Sequence, residues 1–349
     1  MDSVRQQLFD LGQFDAGTTD AADRAAAVGR DATIACTDFL QPDALAFGTT
    51  ASANDLDTLR TTWGVSTLGI IGSGNGSSVA LAYAAAHPNN VSRLILDSPV
   101  SVNTDAISTA EQAVKGREAA FGAFVDRCAA SNCSLGADPR ASVMDLVDRA
   151  RSGALAPISS SALLAAITQS LSFGSPADAA LRTSQLSDAL TDALGGDTSS
   201  LRQILNFTVQ LTASDGQYVS RCTDGQQWPG PERVRELSET WGRQYPMFGA
   251  DAAVRLSVCA GWPASAPADL PSEVAVPVLL LSGAADAVVG NDGLPAVRGA
   301  VVAAGASAGT VTWQGIGHPV APLSNCARGT VLAYLDDATR GGDGNACPA

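Results

Sequence analysis

The run Leu68-Gly69-Ile70-Ile71-Gly72-Ser73-Gly74-Asn75-Gly76-Ser77-Ser78-Val79-Ala80-Leu81 constrains this chain more than any other stretch. Leu68 to Ile71 is short and apolar, as a strand covered on both faces is. It breaks into a glycine-dense turn and then into an alanine-rich helix that ends near His87-Pro88. Strand, tight turn and helix form the frame of the G-x-S-x-G motif, which lifts a nucleophilic serine out of the end of a sheet. Here the five residues are Gly72-Ser73-Gly74-Asn75-Gly76. The turn is present, and a glycine stands at its centre.

Composition narrows what can surround that turn. A chain of 349 residues with 46% hydrophobic and 16% charged residues is globular, long enough for one large core or for a core plus a lid. A formal charge of −14 repels nucleic acid and anionic membranes, so neither is expected as a partner. No run of eighteen apolar residues occurs, so no transmembrane helix is expected. The seven cysteines are Cys36, Cys128, Cys133, Cys222, Cys259, Cys326 and Cys347. No C-x-x-C appears, and two histidines cannot complete a zinc set with thiols so scattered, so no metal and no cofactor is expected. Three disulfides and one leftover cysteine are the economical reading, which implies an oxidising compartment, secreted or in the cell envelope. The polar start Met1-Asp2-Ser3-Val4-Arg5 has no signal-peptide hydrophobic region, so the expectation is that an N-terminal part precedes this chain.

Taken in order, residues 1 to about 65 read as helices and loops, with helical patterns at Asp20–Ala35 and Ser52–Trp63. Strand-like runs follow at Leu68–Ile71, Arg93–Leu96, Val276–Leu281 and Thr310–Trp313. Between the second and third lie roughly 180 residues of mostly helical pattern, most simply an inserted cap. Gly261 to Val276, rich in proline and alanine, reads as the return linker, and a polar tail carrying Cys347 closes the chain. The expected organisation is a core segment at 1–100 with the glycine turn at 72–76, a helical cap at 101–265, and a second core segment at 266–349.

Two further motifs follow strands. Ser282-Gly283-Ala284-Ala285-Asp286 comes after the third and Gly315-Ile316-Gly317-His318-Pro319 after the fourth. The order is nucleophile position, acid, histidine, each at the carboxyl end of a parallel strand, where open α/β sheets bind ligands. With these in view the sequence resembles the tripeptidyl-aminopeptidase-like branch of the proline-iminopeptidase-related α/β-hydrolases, secreted serine exopeptidases. The resemblance runs from about Thr49 to Cys347. It is carried by Ala-Asn-Asp-Leu-Asp-Thr-Leu-Arg at 53–60, the turn with Ala-Tyr-Ala-Ala-Ala-His-Pro at 82–88, and Leu-Ile-Leu-Asp-Ser-Pro-Val at 94–100. Cys259-Ala-Gly-Trp-Pro263, the Gly-x-x-Asp of 283–286, the Gly-x-Gly-His of 315–318 and Ser324-Asn-Cys326 carry it further. In that family the serine lies fourteen residues before the proline of the His-Pro pair, and fourteen residues before Pro88 is Gly74.

The resemblance implies an α/β fold of hydrolase type, a mainly parallel sheet with an inserted helical cap, with the family's N-terminal strands and oxyanion loop missing. It implies His318 as general base and Asp286 as the acid that orients it, with Gly74 at a vacant nucleophile position. Asp97 is the rival acid. Ser73, one residue off, and Ser78, a turn into the helix, are the alternative nucleophiles. His87 reads as a helix cap, Asp224 as a cap carboxylate able to hold a substrate's free amine, and Trp228, Trp241 and Trp262 as either cleft lining or cap packing. Cys128–Cys133, Cys222–Cys259 and Cys326–Cys347 are the expected disulfides, with Cys36 left without a partner. Two functions remain open: hydrolysis of small peptides or esters, strongly impaired by the missing serine, or non-catalytic binding of a peptide, lipid or partner protein.

Overall fold

The computed structural model describes residues 20–172, 179–212, 215–263, 265–342 and 344–349. The polar start at Met1 lies outside them. In chain order the elements are α1 (Ala21–Leu40), α2 (Thr49–Thr62), β1 (Leu68–Ser73), α3 (Gly76–Ala86) and β2 (Val91–Asp97). A helical series follows: α4 (Ala106–Ser131), α5 (Pro139–Arg151), α6 (Ser160–Ser172), α7 (Ala179–Leu194), α8 (Ser199–Thr212), α9 (Asp215–Asp224), α10 (Pro231–Gln244) and α11 (Gly249–Val254). The chain closes with β3 (Val278–Ala285), α12 (Leu294–Ala303), β4 (Ala308–Ile316), α13 (Asn325–Asp336) and β5 (Asn345–Cys347). Among the described residues no helix is long and apolar enough to cross a membrane.

The chain divides into two compact units. One contains α2, β1, α3 and β2 together with everything from β3 onward. Its sheet has the order β1-β2-β3-β4-β5, with every neighbouring pair parallel. Period-two alternation sorts the strand residues onto two faces. Leu94, Leu96, Val278 and Leu280 pack with Ala80, Leu81 and Tyr83 of α3 and Val297 and Val301 of α12. Ile95, Leu279, Leu281, Val311 and Trp313 face the other way, onto Ala327, Val331 and Tyr334 of α13. Helices on both faces explain why these strands read as continuous apolar runs. At an order-of-magnitude scale, each such leucine stabilises the unit by about 2 kcal/mol.

The strands are longer than the apolar runs that announce them. β3 continues through Ser282-Gly283-Ala284 to Ala285, because Ser282 and Gly283 pair in register with Thr312 and Trp313. The polar tail is a strand as well: Asn345, Ala346 and Cys347 pair with Val311, Thr312 and Trp313, and Cys347 is bonded to Cys326 at the start of α13. At the opposite side β1 has no neighbour beyond it among the described residues, and Ile71 is 50% exposed.

The other unit is helical and gathers α1 with α4, α5, most of α6 and α7 to α11. The disulfides Cys128–Cys133, at the end of α4, and Cys222–Cys259, joining α9 to the short helical turn Arg255–Cys259, form as expected. Cys36 is a free thiol, buried beside Val219, Cys222, Cys259 and Trp262. Trp241 and Trp262 are buried within this unit, Trp262 edge-on to Tyr218, so packing is the part these two play here.

Candidate active site

The carboxyl ends of β1 to β4 come together through their register, Ser73 opposite Asp97 and Asp97 opposite Leu281. Immediately after β1 the turn reverses into α3. Gly74 has φ +54°, in the left-handed region where a side chain is strained. Its N–H donates to the Asp97 carbonyl at 3.1 Å, and its carbonyl accepts from the Ser77 N–H at 3.0 Å and the Ser77 hydroxyl at 2.6 Å. Both backbone groups of residue 74 are thus engaged in holding the turn, and the Ser78 N–H adds a bond to the Asn75 carbonyl at 3.0 Å. The flanking glycines have other reasons. A Cβ on Gly72 would lie 2.5 Å from the Gly76 carbonyl oxygen, so strand and helix can approach this closely only without one. Gly76 would meet nothing within 4 Å.

Asp286 follows β3 and is buried. Its Oδ1 accepts from the backbone N–H groups of Val288 at 2.8 Å and Val289 at 3.0 Å, which fixes the carboxylate plane. Its Oδ2 lies 2.9 Å from Nδ1 of His318, itself only 6% exposed and placed by the loop after β4. With Nδ1 turned to the carboxylate, Nε2 points toward the glycine turn. A Cβ built on Gly74 would stand 3.1 Å from His318 Nε2 and 3.3 Å from Cε1. The three positions read from the sequence, 74, 286 and 318, are therefore neighbours.

Asp97 has a different place. Both carboxylate oxygens are taken by the loop that follows His318: Oδ1 accepts from the Val320 N–H and Oδ2 from the Ala321 N–H, each at 2.8 Å, and the Ser98 hydroxyl adds a bond at 3.2 Å. Burial pushes its carboxyl above the ordinary range, against the pull of those two backbone donors. It is an anchor for the histidine's loop, a role no local sequence pattern announces.

Ser73 and Ser78 make no side-chain hydrogen bond among the described residues. Ser78 sits inside α3, away from the turn's centre. His87 occupies the C-cap of α3, its N–H closing the helix on the Tyr83 carbonyl at 2.8 Å and its ring 5.0 Å from that of Tyr83. Asp224 ends α9 in the helical unit and is exposed.

A parallel sheet covered by helices on both faces, with loops in the order glycine turn, acid, histidine along its carboxyl edge, defines an α/β-hydrolase-type fold. Residues 245–347 match the family model described as TAP-like protein. Serine protease Hip1 of Mycobacterium bovis and of two strains of Mycobacterium tuberculosis is 36% identical to this chain over 110 residues. That alignment covers 31% of this chain and 21% of the relative, so the chain matches about a fifth of the relatives' length. Among solved structures, esterase E22 aligns over 82% of this chain and 64% of its own at 15% identity, with a TM-score of 0.39, too low a likeness to carry any argument.

Proposed function

We propose that this chain carries a serine-hydrolase site for small peptides or esters from which the nucleophile is missing. The observation that carries this reading is geometric: a Cβ on Gly74 would lie 3.1 Å from His318 Nε2, while Nδ1 of the same ring is held by Asp286 at 2.9 Å. A serine hydroxyl at 74 would reach the ring nitrogen that takes its proton, and the ring would return that proton to the leaving group. The Asn75 N–H, at the start of α3 where helix N–H groups lack partners within the helix, is the donor next to the nucleophile position for the developing oxyanion. Without the serine, the rest of such a site supports only residual electrostatic and binding catalysis, with turnover down on the order of a millionfold. The family model matched by residues 245–347 supports the hydrolase class. The three disulfides support a secreted or envelope location.

The vacancy also favours a second reading, in which the retained site binds a peptide, lipid or partner protein without turning anything over. A fluorophosphonate probe separates the outcomes. The chain as it stands should not label, and Gly74→Ser should label, with His318→Ala abolishing the labelling. Labelling of the unmodified chain overturns the vacancy. If Gly74→Ser folds and does not label, the assignment of 74, 286 and 318 as one site is wrong.

A further inference from the structure

Asp286 opens the segment Asp286-Ala287-Val288-Val289-Gly290-Asn291-Asp292-Gly293, which joins β3 to α12. The acid uses the amides of Val288 and Val289 and neither of their side chains. One of these side chains nonetheless reaches position 74. The three atoms nearest to a Cβ built on Gly74 are Nε2 and Cε1 of His318, at 3.1 and 3.3 Å, and Cγ1 of Val289, at 3.9 Å. The first two belong to a ring that can take a proton. The third is a methyl carbon, with no charge and no hydrogen bond to offer, so its effect on a neighbour is to exclude volume. Val289 keeps part of its surface exposed, as the wall of an accessible position must.

That methyl group is fixed in place. The Val289 N–H donates to Asp286 Oδ1 at 3.0 Å. Two residues on, Asn291 Nδ2 donates to the Gly283 carbonyl in β3. Gly293 then lies so close to the loop after β2 that a Cβ on it would stand 2.6 Å from Ser101 Cβ. Val289 is also branched at Cβ, which leaves its χ1 little freedom. A segment tied at three points and carrying a stiff side chain resists a ligand instead of yielding to it. A separation of 3.9 Å is already van der Waals contact between carbons, so an atom bonded to a Cβ at 74 and turned toward Val289 has no room.

We propose that Val289 is the size-determining wall of position 74, restricting the group joined there to a compact acyl group of acetyl size and excluding one branched next to its carbonyl. The proposal rests on reading 74 as the nucleophile position, and it narrows the substrates of that site to short-chain esters and amides. Hydrophobic walls of this kind discriminate by about tenfold or more for each carbon added or removed.

The test uses a thiol, so that it does not depend on turnover. Gly74→Cys, in a Cys36→Ser background that removes the chain's own free thiol, is treated with methyl and with tert-butyl methanethiosulfonate. The rates of disulfide formation at the introduced thiol are compared. Val289→Ala should raise the tert-butyl rate relative to the methyl rate at least about tenfold. Val302→Ala, which trims an exposed valine of α12, should leave the ratio unchanged. In Gly74→Ser, Val289→Ala should shift kcat/KM in the same sense, toward p-nitrophenyl pivalate and away from p-nitrophenyl acetate. If Gly74→Cys does not fold, this ester ratio carries the test alone. A thiol ratio that shifts while Gly74→Ser hydrolyses neither ester supports the wall and overturns only the nucleophile reading. A ratio that Val289→Ala leaves unchanged, or that Val302→Ala shifts equally, overturns the proposal.

Discussion

Replacing Gly74 by alanine tests the strain argument separately from any chemistry. At φ +54° a residue with a Cβ pays about 1–2 kcal/mol for the left-handed conformation. The new Cβ also stands 3.1 Å from His318 Nε2 and 3.3 Å from Cε1, closer than carbon ordinarily sits. The ring must give by a few tenths of an ångström while Asp286 holds its other nitrogen, which adds a fraction of a hydrogen bond. A total near 2 kcal/mol corresponds to roughly 30-fold faster exchange of the most protected amides of β2 and β3. Native-state hydrogen exchange reads this in the sheet unit alone, without assuming that the two units unfold together. Gly76→Ala is the internal control. It lies two residues away at the first position of α3, and its Cβ would meet nothing within 4 Å. There alanine should be neutral or stabilise by up to about 1 kcal/mol. If Gly74→Ala leaves β3 exchange unchanged, or Gly76→Ala costs as much, the reasoning fails.

Two further expectations follow from groups described above. Burial raises the native carboxyl of Asp97, so folding takes up a proton there: its contribution is full below the ordinary value of 3.8 and declines as pH rises through the native one. Wild type should lose stability relative to Asp97→Asn as pH rises through the acid range, measured by urea unfolding; a gap that grows with pH would mean the Val320 and Ala321 donors outweigh burial. Removing the Cys222–Cys259 bridge by paired alanine substitution frees a loop with a sequence separation of 37. Chain entropy puts the loss at about 4 kcal/mol, to be read from the exchange of α9 amides, and a loss under about 1 kcal/mol would show that α9 is held by packing alone.

The architecture was legible where apolar burial writes itself into sequence. β2 and β3 lie between covering helices, so each shows as a short hydrophobic run; β1 reads the same in sequence, yet only Leu68 and Ile70 pack into the core while Gly69, Ile71 and Ser73 are exposed, so it is not the strand covered on both faces that its apolar run led us to expect. The position of residue 74 was legible through the resemblance, in which the nucleophile stands fourteen residues before the proline of a His-Pro pair, here His87-Pro88. Legibility stopped where pairing, not burial, makes the strand. The far end of β3 is Ser-Gly-Ala-Ala, and β5 is Asn-Ala-Cys, held by ladder bonds and the Cys326–Cys347 link. The role of Asp97 was hidden for a similar reason. Its partners are backbone N–H groups 223 and 224 residues away, and any residue but proline offers one.

The turn at Gly74 distributes its duties unusually. The amide and carbonyl of that residue both help to keep the loop in place, through Asp97 and Ser77. Everything that bears on a reacting group would belong to its side chain. Integrity and chemistry are thus inherited through different atoms of one residue. On the reading proposed above, an exchange of glycine for serine at position 74 changes the side chain alone and leaves those backbone bonds, and the bond between His318 and Asp286, available to the fold.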